Sequence, residues 1–367
     1  IWSHDEYAGG AYAFFQPHQE KELHEHIVAP EGRYFFAGEH ASLHHRWLQG
    51  AVESGLRAAV DIHALSESGR ADLGSVTTAA HPQRDRPENL IETAAELGRY
   101  ASDFGSIVTT RPKLALRPTS SSEIAEAMRF ARSEELSVVA RGIGHSAGGQ
   151  SQADQGLVID MTRLNVIHKI DIGGGYFEAD AGVTWQALID ALLPLGVAPA
   201  VITDWLHLTL GGTVSAGGVG AQSFARGIQA DAVEALELVT AEGEILRCDS
   251  EHNRELFNAA RAGLGQFGII TRVRMRIEPA PDTVTLEHRV FDSFDTFAES
   301  VELLAAAPGV HGLLAHAVPN ERTAIARSVG VDEHALGDPG GTGSSAAWLY
   351  DLEVMRYHIT GEPTPIP

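Results

Sequence analysis

The stretch that decides the fold is Arg141 to Gln150, RGIGHSAGGQ, which follows the apolar run LSVVA at 136–140. The apolar run predicts a buried strand, and the glycines after it let the backbone come close to another group. His145 stands inside this glycine-rich turn. The pattern indicates a ligand-binding turn at the end of a core strand. It leaves open whether His145 contacts the ligand, acts as a base or nucleophile, or is structural.

Two segments match the glycine spacing of dinucleotide-binding turns. The first is Gly142, Gly144 and Ala147, which follows a strand as it should. Such a turn must open a helix, but only GGQSQADQG separates it from the next predicted strand, LVIDM at 157–161, so no crossover helix fits. The second match, at 263–268, has the reverse context. The first therefore favours a nest of backbone N–H groups around a phosphate or pyrophosphate, with an empty tight turn as the alternative.

A second glycine-rich run, TDWLHLTLGGTVSAGGVGAQSFARG, covers 203–227 and carries Asp204 near its start. Its small residues at 211–220 let the backbone approach a flat or extended ligand. Two such runs in one domain predict a large phosphorylated cofactor.

The chain divides by composition into four parts. Residues 1–65 form one block, 66–88 a polar linker, 89–281 a dense alternation of helices and strands, and 282–367 a block that stops in mid-domain. Many predicted β pairs within 89–281 indicate an α+β fold rather than a regular βαβ series.

Composition excludes several classes of function. The formal charge of −22, from 27 basic and 49 acidic residues, argues against nucleic acid as a partner. The single cysteine, Cys248, excludes an intrachain disulfide framework and a multi-cysteine metal or iron–sulfur site. No apolar run approaches the ~20 residues of a membrane span. The sequence starts at Ile1 without a signal-peptide pattern, so we expect an incomplete N-terminus and assign no compartment.

From about 89 to 281 the chain resembles the FAD-binding domain of the vanillyl-alcohol oxidase superfamily, and within it the cytokinin dehydrogenases. The motifs ARGIGHSAGGQSQA, TDWLHLTLGGTVS and GLGQFGIITRVRMRIEPAP occur in the family's order. The resemblance implies two α+β subdomains that bind FAD, followed by a substrate domain of which 282–367 is the beginning.

The resemblance also implies roles for single residues. His145 occupies the place of the histidine that carries FAD covalently, through a ring nitrogen bonded to the flavin 8α carbon; a structural histidine is the alternative. The other implied cofactor contacts are Ala140, Gly142, Ile143 and Gly144 at the diphosphate, Ser146 and Gln150 through hydrogen bonds, Asp204, Thr209, Ser215 and Val219 at the flavin, and Ile269 near the adenine.

The sequence departs from the family pattern in two places within these motifs. Ile143 stands where members often have arginine, and residues 216–218 read Ala-Gly-Gly where Asn-Ala-Gly is common. The second glycine-rich run lacks the cysteine through which a related group makes a second flavin attachment. Cys248 is expected to be an ordinary core residue.

The reaction implied is hydride transfer to flavin from a C–H bond next to nitrogen or oxygen. Asp204 is the candidate base, with a structural cap on the glycine loop as the alternative. For a cytokinin-dehydrogenase-like substrate, a secondary amine becomes an imine and hydrolyses to an aldehyde. The expected partners are a small-molecule substrate and O2 or a quinone as electron acceptor. An alcohol or sugar oxidase, or a truncated FAD binder without activity, are the alternative interpretations.

The first block is similar to a different flavoprotein. GRYFFAGEHASLHHRWLQGAVESGLRAA, at 32–59, resembles the C-terminal FAD-binding segment of flavin amine oxidases and L-amino-acid oxidases. The resemblance implies that Glu39 binds FAD hydroxyls and that Trp47 and Leu48 lie along the flavin. That family's own dinucleotide fingerprint is absent, so we do not expect this block to bind FAD alone. Its histidines lack the spacing of metal ligands, and no metal site is predicted.

Overall fold

A computed structural model describes residues 24, 27–29, 37, 54–58, 86–320 and 346–359. The chain forms two compact units, Ile1–Ala80 and His81–Pro367. In the first unit, residues 54–58 are helical, with Ser54 and Ala58 buried. Glu39, Trp47 and Leu48 lie outside the described residues, as does most of the predicted linker.

The second unit begins with a small parallel sheet. Its described elements are α1 (Ala94–Leu97), β1 (Leu114–Leu116), α2 (Ser121–Ser133), β2 (Val138–Arg141) and β3 (Leu157–Asp160). The order is β1-β3-β2, and β2 pairs with β3 in parallel. Ser120 begins α2, because its hydroxyl accepts a hydrogen bond from the Glu123 N–H at 3.3 Å. Residues 142–156 join β2 to β3 without a helix, as their short length predicted.

A larger antiparallel sheet follows. Its strands are β4 (Ile167–Asp171), β5 (Tyr176–Asp180), β7 (Val233–Val239), β8 (Ile245–Asp249) and β9 (Ile269–Arg276), in the order β4-β5-β9-β7-β8. The intervening helices are α3 (Trp185–Leu192), α4 (Leu210–Ala216), α5 (Ser223–Arg226) and α6 (Arg254–Ala260). Side chains alternate between the two faces of strand β9. Val273 and Met275 are buried on one face, whereas Arg272 and Arg274 lie on the other face and form ion pairs with Glu178.

The two sheets share one apolar core. Leu116 and Ile159 of the parallel sheet belong to the same buried cluster as Phe177 and Val273 of the antiparallel sheet. Cys248 is fully buried in this cluster, which confirms it as a core residue. The described part of the second unit is thus a mixed α/β structure. The strand before the first glycine-rich run, predicted to be buried, is instead an edge strand of the parallel sheet: Val138 and Val139 are only partly buried and Ala140 is exposed.

A third sheet lies at the C-terminal end. Strands β11 (Thr283–Phe291), β12 (Gly312–Pro319) and β13 (Trp348–His358) are antiparallel in the order β11-β13-β12, and α7 (Phe294–Ala305) covers one face. The short strands β6 (Val197–Ala198) and β10 (Glu278–Pro279) pair with each other. Within the described residues, no helix has the length and apolar character needed to cross a membrane.

The third sheet is joined to the second glycine-rich run by hydrogen bonds. The Leu313 N–H donates to the Ala221 carbonyl at 2.9 Å. The Gln222 side chain donates from Nε2 to the Tyr357 hydroxyl at 2.8 Å, and its Oε1 accepts from the Ile202 N–H at 3.2 Å. Buried Gln222 therefore holds the segment before Asp204 against strand β13.

Candidate functional site

The turn after β2 depends on glycine at one position. Gly144 has a φ of +75°, and a Cβ built on it would lie 2.2 Å from Nη2 of Arg141. The same turn is bonded to an earlier segment of the chain. The Phe104 N–H donates to the Gly144 carbonyl at 2.8 Å, and the Gly105 N–H donates to the Ser146 carbonyl at 3.1 Å. Residues 102–106 therefore form the support of this turn.

Asp103 stabilises the turn after β2 through hydrogen bonds to its carboxylate. Its buried carboxylate accepts from the Ser146 hydroxyl at 2.9 Å and from the Gly149 N–H at 2.7 Å. A third hydrogen bond comes from the Ser106 N–H at 3.2 Å. The sequence analysis missed Asp103, which lies in the unremarkable stretch ASDFGS without a motif to indicate it.

Arg141 is the buried cation beneath the turn. Its guanidinium donates to the Ser102 carbonyl at 2.9 Å and to the Ser151 carbonyl at 3.3 Å. Burial lowers the pKa of Arg141, and the negative charges of Asp103 and Asp160 oppose that shift. The Arg141 guanidinium thus connects the end of β2 to the Ser102 segment before the turn and to the Ser151 segment after it.

His145 is held by stacking and not by hydrogen bonds. Its ring stacks on Phe104 with centroids 4.1 Å apart and an interplanar angle of 8°, and the Trp205 ring lies 6.0 Å away. Neither ring nitrogen makes a hydrogen bond in the described part of the chain. The imidazole is therefore oriented while its nitrogens stay available.

The two glycine-rich runs meet at Gly142. A Cβ on this residue would lie 2.2 Å from Oγ1 of Thr209, so only glycine lets the turn approach that closely. Thr209 is buried and precedes α4, and a β-bridge to Thr184 fixes its backbone. The structure therefore brings His145 and the start of the second run to one place.

Large apolar side chains stay exposed on these segments. Phe104 is 69% exposed and Trp205 52% exposed, and Ile143 and Val219 are exposed as well. Apolar groups left in water on loops around a shared turn are typical of a surface that another molecule covers.

The other residues predicted to contact the cofactor differ in their exposure and in their hydrogen bonds. Ala140 and Asp204 are exposed. The Gln150 side chain accepts from the Gly148 N–H at 2.8 Å, and the Ser215 hydroxyl donates to the Gly211 carbonyl at 2.7 Å within α4. Ile269 differs from the others, because its side chain is buried in the core of the antiparallel sheet.

Asp204 lies within electrostatic range of the third sheet. Burial raises the pKa of Glu353 on β13, and the negative charges of Asp351 and Asp204 raise it further, against the opposing effect of His288 and His316. Together with the Gln222 hydrogen bonds, this places an acidic, imidazole-containing face beside the second run.

These residues fit FAD. Gly142 and Gly144 give close backbone approach, the exposed apolar side chains offer a surface for a flat ring system, and His145 presents an oriented imidazole. Within the part of the chain that the structure describes, no buried cation other than Arg141 lies in the turn, so diphosphate contacts would come mainly from backbone N–H groups.

Comparison with known proteins also indicates an FAD-binding domain in this part of the chain. Residues 112–249 match the family of FAD binding domains, and residues 1–63 match the flavin containing amine oxidoreductases. Cytokinin dehydrogenase 9 of Oryza sativa subsp. japonica is 39% identical over 266 residues, which cover 69% of this chain and 51% of that protein. Cytokinin dehydrogenase 4 of the same rice is 41% identical over 234 residues, 61% of this chain and 44% of that protein.

A third relative is named only as an oxidoreductase. An uncharacterized oxidoreductase of the fasciation locus of Rhodococcoides fascians is 41% identical over 183 residues, 50% of this chain and 41% of that protein. The chain spans about half the length of the curated relatives it matches. The resemblance predicted from the glycine-rich runs is confirmed: residues 112–249 match the FAD binding domains, in a region where the chain is similar to cytokinin dehydrogenases.

Proposed function

We propose that this protein is an FAD-dependent oxidoreductase of the cytokinin dehydrogenase type, which oxidises a C–H bond next to nitrogen. The observation that carries the proposal is the contact between the two glycine-rich runs at Gly142 and Thr209, beside an oriented His145. The similarity to rice cytokinin dehydrogenases supports it independently.

The proposed cofactor site consists of both runs. FAD, when bound, supplies the acceptor for the substrate hydride. The backbone at 142–144 binds the diphosphate, Thr209 and Val219 contact the ring system, and His145 provides the nitrogen for a covalent bond. Asp103 and Arg141 position that nitrogen by fixing the turn.

Asp204 is the proposed base. Its carboxylate is exposed and makes no hydrogen bond within the described residues, so it is free to accept a proton. As the C–H bond of the substrate breaks, Asp204 takes the proton from the adjacent N–H, which leaves an imine that water converts to an aldehyde. The electrons pass finally to O2 or a quinone.

Anaerobic reduction of the flavin tests this function. We expect an N6-substituted adenine with a secondary amine to bleach the flavin absorbance of the purified protein. Reduction by an alditol or glucose alone, with no response to the amine, would favour an alcohol or sugar oxidase instead. A protein that holds FAD and responds to neither substrate would be a binder without activity.

Substitutions of His145 and of its stacking partner Phe104 distinguish covalent attachment of FAD from reversible binding of FAD. His145→Ala is expected to remove all covalent flavin, whereas reversible FAD binding persists because the backbone N–H groups remain. Phe104→Ala is expected to lower the covalent fraction without abolishing it, since the imidazole loses its orientation but keeps its nitrogens. Flavin fluorescence of the acid-precipitated polypeptide measures both.

The matched control is Phe267→Ala, another exposed phenylalanine that makes no ring contact with His145. It should keep the wild-type covalent fraction. Full attachment in His145→Ala would assign the covalent bond to a different residue.

A further inference from the structure

The position of Asp204 depends on the residues on either side of it. Neither Thr203 nor Asp204 makes a backbone hydrogen bond within the described part of the chain. On the C-terminal side, the Leu206 carbonyl accepts a hydrogen bond from the Gln186 N–H at 2.7 Å, which fixes the chain against α3. On the N-terminal side, the nearest hydrogen-bonded group is the Ile202 N–H. The partner of Ile202 therefore sets where the carboxylate of Asp204 stands.

That partner is the buried side chain of Gln222, whose Oε1 accepts from the Ile202 N–H at 3.2 Å. The backbone of Gln222 is fixed as well, because its carbonyl accepts from the Arg226 N–H at 3.0 Å in α5. A Cβ on Gly220 would overlap the Ile202 carbonyl oxygen, so the two segments approach at backbone distance. A buried amide in this position cannot rotate without leaving a polar group unpaired, which is costly.

Tyr357 of β13 holds the other end of the same amide. Nε2 of Gln222 donates to the Tyr357 hydroxyl at 2.8 Å. The Tyr357 N–H donates to Nδ1 of His311 at 3.0 Å, and the two rings stack with centroids 4.9 Å apart and an interplanar angle of 7°. The hydroxyl is thus a fixed acceptor on the third sheet. One side chain, Gln222, connects that sheet to the backbone two residues before Asp204.

Electrostatic repulsion acts between the same two parts of the protein. Glu353 lies four residues before Tyr357 on β13, and residues separated by an even number on one strand share a face. Burial raises the pKa of Glu353, and the negative charge of Asp204 adds to this shift, so the two carboxylates interact. Like charges favour separation of Asp204 from the sheet, whereas the hydrogen bonds of Gln222 oppose it.

We propose that Gln222 and Tyr357 are positioning residues that hold Asp204 against the third sheet. This inference rests on the proposed function, in which Asp204 is the base. The third sheet belongs to the region that the resemblance assigns to the substrate domain. A substrate bound against this sheet and the base that takes its proton are therefore kept in one geometry, and general-base catalysis depends strongly on such positioning.

Hydrogen exchange tests the connection without any need for enzymatic activity. The full chain, reconstituted with FAD, is exchanged in D2O, and peptides containing Ile202 are analysed by mass spectrometry. Tyr357→Phe removes only the hydroxyl that holds Gln222. We expect exchange of the Ile202 N–H to become roughly 3- to 10-fold faster, the usual effect of losing one hydrogen bond. Gln222→Leu removes the acceptor itself and should give at least the same increase.

Flavin reduction by a secondary amine, in the presence and absence of the base, tests the positioning role. Tyr357→Phe is expected to slow anaerobic reduction by about 10-fold, and Gln222→Leu by up to about 10²-fold, because small displacements of a catalytic group have effects of this size. In the Asp204→Asn background, Tyr357→Phe should cause no further slowing, since the group that it positions is already absent. A general loss of structure would slow reduction in both backgrounds.

Tyr350→Phe is the matched control. Tyr350 lies on the same strand, stacks on Phe297 beside α7, and its hydroxyl makes no hydrogen bond with a described residue. It should show wild-type exchange and wild-type reduction. The proposal is overturned if Tyr357→Phe matches Tyr350→Phe in either measurement, or slows reduction equally with and without Asp204. If the amine fails to reduce the wild type, the proposed function is contradicted, whereas faster exchange in Tyr357→Phe still supports the connection between β13 and Ile202.

Discussion

Asp204→Asn is expected to slow substrate-dependent reduction of the flavin by about 10²–10⁴-fold, the usual contribution of a general base. Asparagine keeps the shape of the side chain but has no carboxylate to accept the substrate N–H proton. Flavin content should persist, because Asp204 is exposed and makes no hydrogen bond with the described residues that form the glycine-rich runs. Anaerobic stopped-flow absorbance measures the rate directly.

Asp190→Asn is the control for this charge change. Asp190 is exposed on α3, where it accepts a hydrogen bond from Gln186, and it lies outside both glycine-rich runs. It should leave the reduction rate unchanged. If Asp204→Asn reduces flavin as fast as Asp190→Asn does, Asp204 has no part in proton transfer and is a structural residue of the loop.

Arg141→Met is expected to lower the free energy of unfolding by about 3–5 kcal/mol, the range for removing one partner from a buried charged network. Methionine fills part of the space but donates no hydrogen bonds. The Ser102 and Ser151 carbonyls then lose a donor, and the buried Asp103 and Asp160 lose their compensating charge. Urea unfolding followed by circular dichroism gives the change.

Arg132→Met supplies the comparison on the surface. Arg132 pairs with Glu242 at 2.9 Å, but both side chains are exposed, and such pairs contribute about 0–1 kcal/mol. We expect little change in this variant. An Arg141→Met protein as stable as Arg132→Met would show that the guanidinium does not support the turn.

The secondary structure around the site could largely be predicted from sequence, because glycine positions and apolar periodicity determine the conformation of neighbouring residues. The strand before RGIGHSAGGQ, the absence of a helix after it and the cap at Ser120 all follow from neighbouring residues. The FAD resemblance rests on the same short motifs, and the match of residues 112–249 confirms it.

What could not be predicted depends on contacts between distant segments. Asp103 and Phe104 reach the turn from about forty residues upstream, through a loop pairing that no periodicity indicates. The closeness of His288 to Glu353 depends on the register of β11 on β13, which no local pattern indicates. The contact of Ile269 with the adenine stays a prediction, and its side chain is buried in the core of the antiparallel sheet.

Mass spectrometry of the peptide that carries His145 tests the central claim most directly. The purified protein is reconstituted with FAD, denatured in acid, digested with trypsin and analysed alongside His145→Ala. The account predicts that flavin stays with the polypeptide and that the peptide containing His145 is heavier by one FAD. A protein that binds FAD but releases all of it on denaturation, with an unmodified His145 peptide, would contradict the account.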